Sequence, residues 1–331
     1  MIRAAVVGLG WWGQRIWTSL QGSERIEVVR GVDVSFDHLD AFAERSGLSL
    51  TKSYDEVLGD GAVDAVILTT PHGLHEEQVV AAADAGKKIF CEKPLALNGA
   101  SAARMLEACT ARGILLGIGH ERRYEPALVE VKRMVDEGEI GTLRHLEVNW
   151  SYSLMASAQV PAWRQDPSQA PAGLMTAVGV HITDYLQSIA GPVAALDATL
   201  RRHREDRPSD ATLSVKFDFA SGATGYMCNI GPTPYYQRIT LFGDEGWVEH
   251  RETAHIQDPD PALVTWRGQD EEIWSRTFDP IDQVSANLEA WAAAVEDGAA
   301  YKFTDRQKVH NVEILEAIVK STESGRTETV G

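Results

Sequence analysis

Hydrophobic positions along the chain follow two different periods. Through the first 120 residues, short β-branched runs alternate with stretches in which apolar residues recur every three or four positions. Ile2 to Val7, Glu27 to Asp33, Val63 to Thr69, Lys88 to Cys91 and Ile114 to Ile118 read as strands. Glu76 to Ala85 and Asn98 to Arg112 read as helices, the second with Asn98 placed to cap its exposed amides and Gly113 as a stop. Such alternation predicts parallel βαβ units and a doubly wound sheet.

After about residue 142 the period shortens to two. Leu146, Val148, Trp150 and Tyr152 alternate with polar neighbours, as do Leu213 to Phe219 and Thr224 to Ile230, with turn signals at Ala220-Ser221-Gly222 and Gly243-Asp244-Glu245-Gly246. Helical spacing returns over Val284 to Asp297 and Asp305 to Ser321. The pattern predicts an α/β N-terminal domain with a doubly wound parallel sheet over residues 1–121. Residues 122–331 are expected to form an α+β domain on an open, mostly antiparallel sheet, its C-terminal helices packing back on the first domain.

A length of 331 residues with 44% hydrophobic composition fits two domains, and a formal net charge of -17 disfavours nucleic acid and anionic lipid as partners. No segment approaches the roughly 20 uninterrupted apolar residues of a membrane span. The N-terminal apolar run leads into glycines and reads as a buried strand, not a leader. Three cysteines, Cys91, Cys109 and Cys228, have no paired spacing, which argues against disulfides and a thiolate metal site and for a reducing cytoplasm.

Chemistry enters at Gly8-Leu9-Gly10-Trp11-Trp12-Gly13, a G-x-G-x-x-G run directly after a strand and opening a helix. Gly8 permits a tight turn, Gly10 lets backbone amides approach a pyrophosphate, and Gly13 allows close helix-strand packing. Asp33 closes the second strand 20 residues after Gly13, where a carboxylate can accept the adenosine ribose hydroxyls. A 2'-phosphate there would meet a like charge, so NAD is favoured over NADP. The alternative is that Asp33 only begins a turn before a helix at Asp37.

Further on, the chain reads Thr69-Thr70-Pro71-His72-Gly73-Leu74-His75 and Cys91-Glu92-Lys93-Pro94. With the N-terminal glycines this resembles the Gfo/Idh/MocA oxidoreductases, whose hallmarks are T-P-N-x-x-H and E-K-P segments. Arg123-Tyr124-Glu125-Pro126 resembles the family's R-F-x-P, Trp163-Arg164 its W-R pair, Gly173 to Asp184 its G-x-x-x-D-x-G-x-H-x-x-D segment, and Ser321 to Thr329, imperfectly, its closing tail. The resemblance spans nearly the whole chain. It implies that the cofactor contacts Gly8, Gly10, Trp11, Trp12, Gly13, Asp33, Thr70, Pro71, His75, Glu92 and Lys93. It further implies a catalytic Lys93, His181 as the second catalytic residue, and Lys93, Tyr124, Trp163, Arg164 and His181 around the substrate. Subunits would join as a homodimer or homotetramer through the C-terminal sheet.

Lys93 is singled out independently, because a residue before proline is extended and this one ends a strand on the carboxyl edge of the sheet. Beside the positive charge of oxidised nicotinamide and partly desolvated, its amine would lose its proton easily and could take one from an alcohol. His181 opens a helical stretch with Asp184 three residues on, a carboxylate expected to fix the imidazole tautomer. Without the family such a histidine reads as structural.

Two departures stand out. Ala177 occupies the place of the family's aspartate, and His72 replaces its asparagine. Asp166, His120, Tyr124 or Tyr152 could supply the missing function, the substrate could lack the corresponding hydroxyl, or catalysis could be lost with binding kept. His72 and His75 lack a third ligand, so no metal is expected. Trp150, Trp163, Tyr152 and Tyr235-Tyr236 fit sugar stacking as well as core or interface packing, with Trp163 the best placed for ligand. The expected reaction is hydride transfer between NAD and a secondary alcohol or ketone of a sugar, polyol or related cyclic substrate. The alternatives are an NAD-retaining glycosidase or lyase using transient oxidation, and a non-catalytic NAD- or sugar-binding sensor.

Overall fold

A computed structural model describes residues 1–153, 162–205, 207, 210–256, 258–270 and 272–331. The chain divides into two compact units, Met1–Glu121 with Asp282–Val309, and Arg122–Ile281 with His310–Gly331.

The first unit holds a six-stranded parallel sheet in the order β3-β2-β1-β4-β5-β6. Its strands are β1 (Ile2–Val7), β2 (Ile26–Val32), β3 (Ser49–Thr51), β4 (Ala65–Leu68), β5 (Lys88–Cys91) and β6 (Leu116–Ile118). The runs of β1, β4, β5 and β6 are almost wholly buried, as a parallel sheet wrapped by helices requires, whereas β2 and β3 are partly exposed. The helices are α1 (Trp11–Ser19), α2 (Asp40–Ser46), α3 (Tyr54–Gly59), α4 (His75–Asp84), α5 (Gly99–Thr110) and α8 (Gln283–Asp297). Asn98 caps α5 by accepting the Ser101 amide at 2.9 Å. Trp291 of α8 packs edge-on against Phe90 at 5.6 Å, over Gly117, where a Cβ would lie 2.7 Å from the indole.

The second unit is built on a nine-stranded sheet, order β14-β13-β12-β11-β7-β10-β9-β8-β15. Its strands are β7 (Leu143–Ser151), β8 (Val193–Arg202), β9 (Ala211–Phe219), β10 (Thr224–Ile230), β11 (Tyr236–Gly243), β12 (Trp247–Glu252), β13 (Ala262–Arg267), β14 (Ile273–Phe278) and β15 (Glu328–Thr329). Every neighbouring pair is antiparallel except β10 with β7, which run parallel. Burial alternates along β9 and β10, so one face is packed and the other polar. Among the described residues, α6 (Pro126–Asp136) and α7 (Val180–Ala190) belong to this unit, and α9 (Asp305–Ser324) carries the chain into it.

Candidate active site

Parallel order brings the chemistry of the first unit to one edge. The residues that follow the carboxyl ends of β1, β2, β4, β5 and β6 are Gly8, Asp33, Thr69 to Pro71, Glu92 with Lys93, and Gly119 to Glu121. Strand order reverses beside β1, whose loop carries the glycines, and such switch points are where open α/β sheets take ligands.

Each glycine has a distinct reason. Gly8 has φ +93°, and a Cβ on it would lie 3.0 Å from the Thr69 carbonyl. A Cβ on Gly13 would come within 2.0 Å of the Gly8 carbonyl oxygen. Gly10, by contrast, would direct its Cβ into open space with nothing within 4 Å. It is also the N-cap of α1 and supplies no capping side chain, so the first amides of the helix remain directed outward. These features fit a dinucleotide diphosphate. Asp33 Oδ2 accepts the Leu9 amide at 2.8 Å and Oδ1 the Ser35 amide at 3.1 Å, which ties the end of β2 to the glycine loop. The helix after it starts at Asp40, later than the sequence pattern at Asp37 suggested.

Beyond β4, the Thr69 hydroxyl donates to the Val7 carbonyl at 3.0 Å and the Thr70 hydroxyl to Gln78 Oε1 at 2.5 Å. His75 is fully buried, with Nδ1 3.0 Å from the Pro94 carbonyl and Nε2 2.9 Å from the Thr70 carbonyl. Burial lowers its pKa although both carbonyls oppose that shift. The ring thus ties the Thr70-Pro71 loop to the loop that carries Lys93. His72 is also buried and lies 5.9 Å from His75, ring to ring.

Lys93 is partly exposed and its amide donates to Glu92 Oε2 at 3.1 Å. The Lys93-Pro94 peptide is cis. Glu92 is buried against Gly119, where a Cβ would lie 2.4 Å from its carboxyl. Burial and the nearby Glu121 push the Glu92 carboxyl up to about 7, against the pull of Trp12 and Lys93. Trp11 is exposed and its ring lies 5.3 Å from that of Trp12. His120 is buried with its ring 6.2 Å from Phe303.

In the second unit His181 lies in the first turn of α7, buried, its ring 6.4 Å from Trp150. Asp184, expected to fix its tautomer, pairs with Arg123. Both Asp184 oxygens accept from Arg123, Nε at 2.7 Å and Nη2 at 2.6 Å, because a buried carboxylate is best satisfied by a guanidinium fork. Ala177, half-buried, stands in a π-turn (Met175–Gly179) that leads into α7. A Cβ on Gly179 would lie 2.3 Å from Met175 Sδ, so any larger residue there would displace that side chain. Trp163 and Arg164 stack on one another, guanidinium to ring at 4.4 Å. Of the segment from Ser153 to Pro171, which carries Trp163 and Arg164, residues 154–161 lie outside the described residues.

The residues considered as stand-ins for the aspartate differ in character. Asp166 is exposed, and the Ser168 amide and hydroxyl hold its pKa low. Burial raises the Tyr124 and Tyr152 hydroxyls above the ordinary phenol range, and Tyr152 stacks on His255 at 4.7 Å.

A polar network under the sheet went unread in the sequence. Glu125 caps α6 by accepting the Ala127 and Leu128 amides at 3.1 and 2.7 Å, with His250 Nε2 3.3 Å away. Burial would raise Glu125, but His250, Arg122 and the Leu128 amide outweigh it and hold the carboxyl at about 2. Glu252 pairs with Arg122 and accepts the Tyr235 hydroxyl at 3.0 Å. Glu125, His250 and Glu252 bring possible ligand atoms within 4.8 Å of one another, but a cation there would meet the Arg122 guanidinium as a like charge. Glu125-Pro126 is itself a capping signal, acceptor then proline at the first helical position, and could have been found.

Comparison with known proteins agrees with this architecture. Residues 2–120 match the oxidoreductase family with an NAD-binding Rossmann fold, and residues 128–249 match the GFO/IDH/MocA C-terminal domain. Inositol 2-dehydrogenase 3 of Saccharopolyspora erythraea is 30% identical over 314 residues, 90% of this chain and 86% of that protein. D-xylose 1-dehydrogenase (NADP(+)) 2 of Haloferax volcanii is 29% identical, covering 82% of each. The fold matches the crystal structure of aldose-aldose oxidoreductase from Caulobacter crescentus complexed with glycerol, with TM-score 0.87 and 23% identity over 99% of both chains. With the glycine loop, the two-sheet architecture and these matches in hand, the chain belongs to the Gfo/Idh/MocA oxidoreductase family.

Proposed function

We propose that the chain transfers a hydride between NAD and a secondary alcohol or ketone of a sugar, polyol or related cyclic substrate, with Lys93 as acid and base. The observation that carries this reading is the position of Lys93, beyond β5 on the carboxyl edge that also bears the open cradle at Gly10. Bound nicotinamide supplies the redox chemistry. The α1 amides hold the diphosphate, Asp33 accepts the ribose hydroxyls, and Thr70, Pro71 and Glu92 line the path to Lys93. The Lys93 amine takes the alcohol proton during oxidation, and its ammonium polarises the carbonyl during reduction. His75 acts through the Thr70 and Pro94 carbonyls as a positioning residue. Tyr124, Trp163, Arg164 and His181 orient the substrate. Relatives named for inositol and xylose support the substrate class.

The test is an absorbance screen of sugars, polyols and ring diols with NAD and NADP in parallel, on the wild type and Lys93→Ala. Turnover should fall about 10²- to 10⁴-fold in the variant, with NADH affinity retained. Undiminished turnover in Lys93→Ala would refute the role. Ala177 favours a second reading, a non-catalytic sensor, which tight dinucleotide binding without turnover across the whole panel would support.

A further inference from the structure

Glu121 is a buried acid to which the cofactor reading gives no role. It is 5% exposed and follows β6 by three residues, while Glu92, 6% exposed, follows β5 directly. The two strand ends are joined, since the register pairs Cys91 with Ile118 and the Gly119 amide donates to the Cys91 carbonyl at 3.0 Å. The Glu92 carboxyl packs on Gly119, two residues before Glu121, at a place where a Cβ would come within 2.4 Å of it. Two carboxyls therefore share one buried end of the sheet. The other titratable groups there are Cys91 and Lys93 beside Glu92, His120 beside Glu121, and the buried imidazoles of His72 and His75 past β4.

Accepting that bound nicotinamide lies beside Lys93, we propose that Glu121 is a positioning residue for a proton on Glu92. The two carboxyls hold one proton between them, which they keep beside reduced nicotinamide and release beside the oxidised ring. Neighbouring buried carboxyls do not both ionise readily, because each charge is costly out of water and each opposes the other. Both effects act on Glu92, whose carboxyl is pushed up to about 7, by burial first and by Glu121 second. With the positive ring of oxidised nicotinamide at this edge, a second carboxylate is stabilised and the pair gives its proton to solvent. Beside the neutral reduced ring the proton stays. The pair thus carries two negative charges with NAD and one with NADH, so the preference between the two cofactor states varies with pH around neutrality. Without Glu121, burial alone acts on Glu92, and its proton leaves at lower pH in every state.

The test is calorimetric titration of the full chain with NAD and with NADH at about pH 7, in two buffers of different ionisation enthalpy, which counts the protons exchanged. In the wild type, NAD binding should release about half a proton or more beyond NADH binding. The NAD-to-NADH ratio of dissociation constants should fall about tenfold from about pH 6 to about pH 8. In Glu121→Gln the proton difference at about pH 7 should shrink about threefold or more, and Glu92→Gln, which leaves a single carboxyl, should abolish it. The Lys93 ammonium meets the same nicotinamide charge, so Lys93→Ala is titrated in parallel and should keep the difference. Equal proton exchange with NAD and NADH in the wild type, a difference undiminished in Glu121→Gln or Glu92→Gln, or one lost in Lys93→Ala would overturn the proposal. Absence of binding of either form by the wild type would instead overturn the dinucleotide reading on which the pair's role rests, a result distinct from binding without a proton difference.

Discussion

At the scale of single residues, the carboxyl edge of the first unit carries an electrostatic cost beside its proposed base. Glu92 is raised to about 7 from an ordinary 4.5, by burial and by Glu121. A carboxyl with a raised folded pKa binds its proton more tightly in the folded state, so stability falls as pH rises from about 4.5 to about 7 and stays lowered above. Glu92→Gln should therefore stabilise the protein against the wild type more at pH 8 than at pH 5, on the order of 1–3 kcal/mol, read from thermal unfolding at both. An equal effect at both pH values would show that Glu92 ionises normally. Glu125 has the opposite sign. Held at about 2, it contributes stability above the ordinary carboxylate range and loses it as pH falls toward 2. Glu125→Gln should cost about 1–3 kcal/mol at pH 7 and much less near pH 2, measured by denaturant titration.

Residues were unequally legible. Glu92 and Lys93 stand in a contiguous motif, and contiguity is what a sequence displays. The Arg123 partner of Asp184 lies 61 positions away, and nothing local marks the pair, so Asp184 was assigned to His181 by helical spacing alone. The His250 contact with Glu125 was hidden for the same reason.

At the scale of elements, the apolar periods were enough to place β1 and β5 at their observed limits and α5 with its Asn98 cap. They missed β3, whose three residues Ser49–Thr51 are too short to show a period. The parallel pairing of β10 with β7 was also unreadable, because alternation fixes which face is buried and not which neighbour runs alongside. The loop between β1 and α1 separates folding from binding at two glycines. Gly13→Ala places a methyl 2.0 Å from the Gly8 carbonyl oxygen and should destabilise the unit by about 1–3 kcal/mol. Gly10→Ala meets nothing within 4 Å at an ordinary φ of -62°, so its thermal unfolding should match the wild type while NADH affinity drops about tenfold or more. Equal NADH affinity in Gly10→Ala would mean that the open space before α1 is not the diphosphate site.

At the scale of the whole molecule, a net charge of -17 works against association between copies, so any interface must bring little charge of its own. The polar face of the nine-stranded sheet meets that condition. Arg238 pairs with Glu147 at 2.8 Å and Arg251 with Glu249 at 2.7 Å within the chain, and Lys216 faces Asp218 at 3.5 Å. Among these pairs Tyr226 is 54% exposed, with the His145 ring 5.2 Å away and Phe242 beyond it. The register places Tyr226 beside Glu147 on one side and Lys216 on the other, in the middle of the face. We therefore expect a second copy to cover this face, giving a dimer or tetramer by light scattering at micromolar concentration. Tyr226→Glu should shift the mass toward the monomer, and lowering the salt should do the same in the wild type, because repulsion between copies is screened beyond about 8 Å at physiological ionic strength and reaches farther at low salt. A wild-type monomer at all salt concentrations would leave the sheet face without a partner.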